Sequence, residues 1–524
     1  MTFLSSRRAI LAAALAFMAF TVAMLRLRPL LPIDETRYLT VAWEMWRDGT
    51  WLVPHLNGAI YGDKPPLLFW LIDLVWAGGG VTEFGARLVA PAFGLASLGL
   101  TWLLARRLWP LDPGRAGLAA VVLVTTGAFL IYGSATMFDT MLGTAVLLAT
   151  LALVALRQGG GRGAVLALGA AIALGVYAKG PVILVHVGPV AFLMPLWADQ
   201  ATRPPLGRWL GGLGLALLVA LALVGLWLGP ALAFGGPEYR TEVLWHQSAG
   251  RMVTAFAHER PIWFFLTLLP VYLWPWGWTL GGLAALAPRR LWAEEPTRLV
   301  AVWAGTAFLA FSLISGKQPH YLVPELPALA LLLSGMGRPW EGRRPARLLV
   351  LVPALLVLLF ILATAAGLVP EVVVNSSEVG WDGVAAAVLL FGILLAGALI
   401  LPEGWPTLVL AAPITLLMFL MAASPLLFAG YDPTPIARTL AETEAKGLAT
   451  ADSVYHGQFN FAGRLDGPVT HLPDPAALED WMAEHPGGVL VTRNDISSAG
   501  LQVMGRRVFN SKDYVLYQVP EAFP

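Results

Sequence analysis

Apolar runs of about twenty residues, separated by short polar or Pro- and Gly-rich links, fill the chain up to about position 430. They lie near 9–28, 84–105, 116–133, 138–156, 163–178, 180–198, 209–231, 262–287, 299–315, 321–337, 348–368, 383–401 and 406–429. A helix needs roughly 20 apolar residues to cross the ~30 Å hydrocarbon core, so the pattern predicts about thirteen transmembrane helices. A further run, Leu67–Trp76, is short, contains Asp73 and follows Lys64-Pro65-Pro66. It is expected as a juxtamembrane helix lying in the interface. From about Tyr431 the pattern changes: Asp, Glu, His and Asn rise, and β-like runs appear at Ser453–Tyr455, Gly488–Thr492 and Tyr514–Val519. A helix signal at Asp474–Glu484 has Asp474 as cap and Pro475 as first helical residue. The expectation is an α-helical polytopic membrane domain over 1–430 and a small soluble α/β domain over 431–524.

Composition supports the membrane assignment, since the 524 residues are 57% hydrophobic and only 13% charged. A net charge of +1 with scattered basic residues argues against nucleic acid as a partner. The absence of Cys excludes disulfides, thiol nucleophiles and Cys-ligated metals. Arg7 and Arg8 before Ala9–Leu25 read as an uncleaved signal anchor.

Loop charges orient the chain. With Leu67–Trp76 in the interface, one side receives Arg7/Arg8, Arg106/Arg107/Arg115, Arg157/Arg162, Arg203/Arg208, Arg289/Arg290 and Arg338/Arg343/Arg344/Arg347. That is a positive-inside pattern, broken only by Arg26 and Arg28 at the outer end of the first span. It places the N-terminus in the cytoplasm and the C-terminal domain outside. The outer face then gathers the 30–83 and 232–261 loops, the Phe138-Asp139 corner, Lys179, Ser315–Tyr321 and the tail.

Those segments hold the candidate chemistry. Asp34 and Glu35 directly follow the first span, where a carboxylate can orient or deprotonate an attacking group. Arg37, three residues on, shares a helical face with Asp34, and the structural alternative is a capped and paired helix start. Asp63 and Lys64 bring a second acid and base, alternatively a Pro-capped helix start. Asp139 stands at a span boundary as an acid or as an N-cap, and Lys179 interrupts apolar sequence as a site residue or a snorkelling one. His246, Arg251 and His258 in the 232–261 loop, and Lys317, His320 and Tyr321, form two more donor-rich corners. Cations for a phosphate and acids for a reaction, beside a membrane, suit a lipid-phosphate-linked substrate.

Asp34-Glu35-Thr36-Arg37-Tyr38, Asp63-Lys64-Pro65-Pro66, Phe138-Asp139, Lys179-Gly180-Pro181 and Lys317-Gln318-Pro319-His320-Tyr321-Leu322-Val323-Pro324 together resemble the bacterial aminoarabinose transferases and their protein-mannosyltransferase-like relatives. These are C-type (GT-C) glycosyltransferases that use polyprenyl-phosphate sugars. The resemblance implies transfer of a hexosyl or pentosyl unit, with inversion, from a polyprenyl-phosphate carrier to a lipid A-like lipid, a glycan or a protein at the periplasmic face of the inner membrane. It implies Asp34 as catalytic carboxylate, Asp139 as supporting acid, and Lys64 and Arg251 as carrier-phosphate ligands, with Arg37, Lys179, Lys317 and Tyr321 lining the cavity. In the family a Glu commonly precedes the lysine and can hold a divalent metal with a loop histidine. Here that position is Asp63, one methylene shorter, with His246 the better-placed partner and His258 the alternative. Zn, Mg or Mn is the cofactor this implies, and no other is expected.

Two other readings compete. A secondary transporter would carry polar residues at mid-depth in several spans, whereas here they gather at one end. A glycan ligase or polymerase of the cell envelope would share the motifs.

Overall fold

The computed structural model describes residues 6–521 apart from 244–258, 338, 340–343, 370–380, 402–403, 427, 473 and 497–499. The first half is a succession of helices: α1 (Ser6–Leu27), α2 (Asp34–Asp48), α3 (Leu67–Gly79), α4 (Glu83–Leu108), α5 (Pro113–Val124), α6 (Gly127–Gly133), α7 (Phe138–Arg157), α8 (Gly161–Lys179), α9 (Ile183–Phe192), α10 (Met194–Trp197) and α11 (Leu206–Phe234). Later apolar helices include Phe264–Leu273, Glu295–Leu313, Leu326–Leu333, Val352–Ala365, Trp381–Ile400 and Trp405–Leu426.

All thirteen apolar runs are helical, but not all as single spans. Among the described residues eight helices are long and apolar enough to cross a membrane, or nine if α5 and α6, bent by 66°, count as one. The protein is a multi-pass membrane protein. The excess of runs over long helices has local causes. Thr125 and Thr126 turn their hydroxyls back onto the Val121 and Val122 carbonyls where α5 stops and α6 turns away. Runs 163–178 and 180–198 merge into one candidate span, Gly161–Phe192, in which Gly180-Pro181 separates α8 from α9, and Pro275 ends the Phe264 helix. α3 has 13 residues, hence about 20 Å, too short for a bilayer core.

Local sequence fixes the ends. Thr82 caps α4 by accepting from the Gly85 N–H, and Asp112 caps α5 with Pro113 in the first turn. α7 is the most enclosed long span and packs between α4 and α8. Its N-terminus therefore enters the middle of the bundle, and that is where Asp139 stands.

The segment between α1 and α4 is folded. After α2, a hairpin of β1 (His55–Leu56) and β2 (Ala59–Ile60) turns at Asn57-Gly58, both at positive φ. Glu44 of α2 accepts from both turn N–H groups, at 2.7 and 3.0 Å.

The C-terminal region forms a five-stranded sheet in the order β4-β3-β5-β7-β6, with β3 (Leu448–Thr450), β4 (Thr470–His471), β5 (Val489–Thr492), β6 (Gln502–Phe509) and β7 (Lys512–Gln518). β3, β4 and β5 are parallel, whereas β7 is antiparallel to β5 and β6. The helix Pro475–Glu484 begins as read from sequence, with the Asp474 carboxylate accepting from Ala476 N–H. Ser453–Tyr455 is not a strand. The strand is Leu448–Thr450, and the chain leaves the sheet where Asp452, buried, accepts from the Thr492 hydroxyl and the Arg493 N–H.

Candidate active site

Asp34 and Glu35 are neighbours in sequence with opposite fates. Glu35 is buried and grips Arg28 through both carboxylate oxygens, one arm being Nη2 to Oε1 at 2.9 Å. It also accepts from the Leu31 N–H at 3.1 Å and from the Thr136 N–H at 2.8 Å. Arg87 lies 3.8 Å from Glu35 and donates to Glu83 and to the Arg28 and Pro29 carbonyls. Burial by itself would push the Glu35 carboxyl up, but Arg28, and behind it Arg87, hold it well below the usual carboxylate range. The network ties the end of α1 to α2, α4 and the corner before α7. Arg28 breaks the positive-inside pattern because it is a counter-ion inside the protein.

Asp34 starts α2 with its side chain 42% exposed. Its Oδ1 accepts from Arg37 Nη2 at 2.7 Å and from the Tyr38 hydroxyl at 3.0 Å, while Oδ2 has no hydrogen-bond partner among the described residues. It is not the N-cap of α2. Burial opposes the charge on Arg37, but Tyr61, Tyr38, Asp34 and Asp63 overcome it and hold the guanidinium above its ordinary range. Burial and the Asp34 carboxylate push the Tyr38 phenol well up, so it remains a donor.

A second contact group faces Asp34 from the helix bundle. Asp139 is buried, and its Oδ1 meets Lys179 Nζ at 2.6 Å. The same ammonium lies 4.9 Å from the centre of the Tyr321 ring. Lys179 thus ends α8 turned onto an acid and a ring instead of snorkelling. His320, against Tyr321 at 5.0 Å, lies within electrostatic reach of Asp139, Lys179, Asp34 and Lys64, which joins the two groups into one site. Burial lowers the affinity of His320 for a proton, so its ring is a neutral donor and acceptor. Asp139 is also within reach of Lys64.

The structure therefore brings Asp34, Arg37, Lys64, Asp139, Lys179 and Tyr321 together, with Asp63 beside Arg37. Lys317 stands differently: buried, it donates to the Arg260 carbonyl at 2.9 Å and secures the pairing of Glu259 with Gly316. Arg251, His246 and His258 lie outside the described residues. Among the described residues no group of three or more His, Asp and Glu side chains is placed to hold a metal ion. Asp63 has the Arg37 guanidinium in its field. Sequence reading gave no role to Arg28, Arg87 or Tyr38, and noticed His320 without assigning it one. The misplaced charge of Arg28 was the available signal.

The fold superposes on that of ArnT from Cupriavidus metallidurans bound to undecaprenyl phosphate, with a TM-score of 0.77 over 98% of both chains at 20% identity. It is the C-type glycosyltransferase fold. The oligosaccharyltransferase of Archaeoglobus fulgidus is a more distant match to it, with a TM-score of 0.51 over 93% of this chain and 69% of that one, at 14% identity. In sequence, residues 63–228 match the family described as dolichyl-phosphate-mannose-protein mannosyltransferase. An undecaprenyl phosphate-α-4-amino-4-deoxy-L-arabinose arabinosyl transferase of Pseudomonas paraeruginosa is 35% identical over 313 residues, 57% of this chain and 54% of that relative. The chain therefore spans about half the length of the curated relatives it matches. The resemblance read from the motifs and the GT-C fold are both borne out.

Proposed function

We propose that the chain is an integral-membrane glycosyltransferase that moves a sugar from a polyprenyl-phosphate carrier to an acceptor at the outer face of the inner membrane. The observation that carries this reading is the meeting of Asp34, with one oxygen free, and the Asp139–Lys179–Tyr321 group at one end of the helix bundle. Similarity to the arabinosyl transferases favours undecaprenyl phosphate as carrier and 4-amino-4-deoxy-L-arabinose as sugar. The acceptor is a lipid such as lipid A, a glycan or a protein.

In the reaction the bond between the anomeric carbon and the carrier phosphate oxygen breaks, the electron pair leaves with the phosphate, and a bond to the acceptor oxygen forms on the opposite face. Lys64 and Lys179 balance the growing phosphate charge. Asp34 takes the proton when the acceptor is a hydroxyl; when it is an ionised phosphate, Asp34 orients Arg37, whose guanidinium holds the acceptor in line. Asp139 holds Lys179 in place through their ion pair. The membrane part, through about residue 430, carries this chemistry.

The binding test uses undecaprenyl phosphate and the purified full chain. Lys64→Gln should weaken binding by about 1.5 to 3 kcal/mol, one charged hydrogen bond to phosphate. Unchanged affinity would remove Lys64 from the phosphate site. Orientation is tested by single cysteines in this Cys-free chain. Ser453→Cys, exposed in the C-terminal domain, should react with an impermeant reagent from outside the cell, and Leu111→Cys, 97% exposed beyond α4, should not. The reverse labelling would invert the topology.

A further inference from the structure

The C-terminal domain docks onto α2, the helix that presents Asp34 and Arg37. Thr40, one turn beyond Arg37, donates to the Gly457 carbonyl at 2.7 Å and accepts from the Phe461 N–H at 3.2 Å. Trp43 and Arg47 both donate to the Leu465 carbonyl, and Asn57 at the hairpin turn bonds Val469 through both its side-chain oxygen and nitrogen. Phe461 stacks on Trp76 of α3, the planes 5° apart. Gly457 is required at this seam: it has φ +63°, and a Cβ there would stand 2.8 Å from Leu56 and 3.0 Å from Thr40. The loop after β3 is thereby held against the site helix.

His456 is the residue before that glycine. Its backbone N–H is fixed by the Gln458 side chain, while neither ring nitrogen has a hydrogen-bond partner among the described residues. Burial and the nearby Arg37 and Arg493 lower its affinity for a proton, and Asp63 and Asp34 also act on it; the Thr40–Gly457 hydrogen bond holds the residue beside α2, one helical turn from Arg37. Arg493 begins the loop after β5, where Asp452 takes its Nε at 2.8 Å and leaves both Nη groups without partners among the described residues. His456 and Arg493 thus lie at the carboxyl ends of adjacent parallel strands, the edge at which open α/β sheets bind ligands.

Resting on the glycosyltransferase reading, we propose that His456 and Arg493 of the C-terminal domain form the acceptor side of the site and bind an anionic, hydroxyl-bearing head group such as that of a phosphorylated glycolipid. The carrier cannot take this place: its phosphate must stay beside its lipid chain, near Lys64 and Lys179 at the bundle end. A neutral imidazole offers a donor and an acceptor to a sugar or phosphate oxygen, and a guanidinium with a free edge offers a forked pair to an anion.

The experiment measures binding of lipid A micelles and, separately, of undecaprenyl phosphate to the purified full chain and to His456→Ala, His456→Gln and Arg493→Gln, with the melting temperature of each. His456→Ala should bind lipid A about three- to tenfold more weakly, as expected for one hydrogen bond between neutral groups, with undecaprenyl phosphate affinity and melting unchanged. His456→Gln should recover part of the loss, and Arg493→Gln should lose at least as much as His456→Ala. Equal lipid A binding by wild type and His456→Ala, absence of lipid A binding by the wild type, or a parallel loss of undecaprenyl phosphate binding overturns the proposal. A wild type that binds lipid A as described but transfers no sugar to any acceptor sinks the glycosyltransferase reading instead.

Discussion

Asp34→Asn should abolish sugar transfer while leaving the protein folded. The amide keeps the volume and an oxygen for Arg37 and Tyr38 to donate to, so the start of α2 survives. What goes is the charge on a partly exposed carboxylate whose Oδ2 has no hydrogen-bond partner among the described residues. For a hydroxyl acceptor that oxygen is the base, and its loss should slow turnover by about 10²- to 10⁴-fold. For an acceptor already ionised Asp34 only positions, and the fall should be smaller. Turnover at saturating donor and acceptor, with melting as the control for folding, measures it. A variant with wild-type turnover would move the chemistry to Asp139.

Glu35→Ala, one residue away, should fail in another manner, by losing stability. It would strand the buried Arg28 guanidinium without its counter-ion, while Arg87 keeps its pair with Glu83. Removing one partner of a buried pair costs about 3 to 5 kcal/mol, because the desolvated charge stays behind. The melting temperature in detergent should drop markedly, and Glu35→Gln, which keeps one acceptor oxygen for Arg28 and Thr136, should fall less. A wild-type melting temperature in Glu35→Ala would show that water reaches these groups. The pH dependence has a definite sign. The folded carboxyl lies below its ordinary value of 4.5, so its stabilisation is complete above that pH and fades as the pH drops below it.

Hydrophobic patterning revealed the helices because a bilayer demands long apolar runs, and each run is helical, several of them broken into two or more helices. It overcounted single spans because 163–178 and 180–198, read apart at Gly180-Pro181, form one candidate span, Gly161–Phe192, and because hydropathy does not register the proline that ends the Phe264 helix or the threonines that stop α5. Motifs located Asp34, Arg37, Asp139, Lys179 and Tyr321, which the structure joins through contacts or a shared field. They could not separate Asp34 from Glu35, since both acids follow the same span. The difference lies in Arg28 and Arg87, the second supplied by a helix some fifty residues downstream. Lys317 read as a site cation from its neighbours His320 and Tyr321, yet its ammonium turns to the Arg260 carbonyl instead. The loop at Ser453–Tyr455 carried the apolar signal of a strand. Its departure from the sheet depends on Asp452 meeting Arg493, a contact between distant parts of the chain that periodicity does not encode.

The most direct test of the central claim is transfer itself, measured in lipid nanodiscs holding the wild type beside Asp34→Asn. Undecaprenyl phosphate carrying labelled 4-amino-4-deoxy-L-arabinose is supplied with lipid A, and the label is followed by mass analysis of the extracted lipids. The wild type should move the label onto lipid A and release free undecaprenyl phosphate in equal amount, and Asp34→Asn should leave the donor intact. A donor that the wild type leaves unchanged with lipid A, and with glycan and protein acceptors in its place, or label transferred equally by both proteins, would contradict the account.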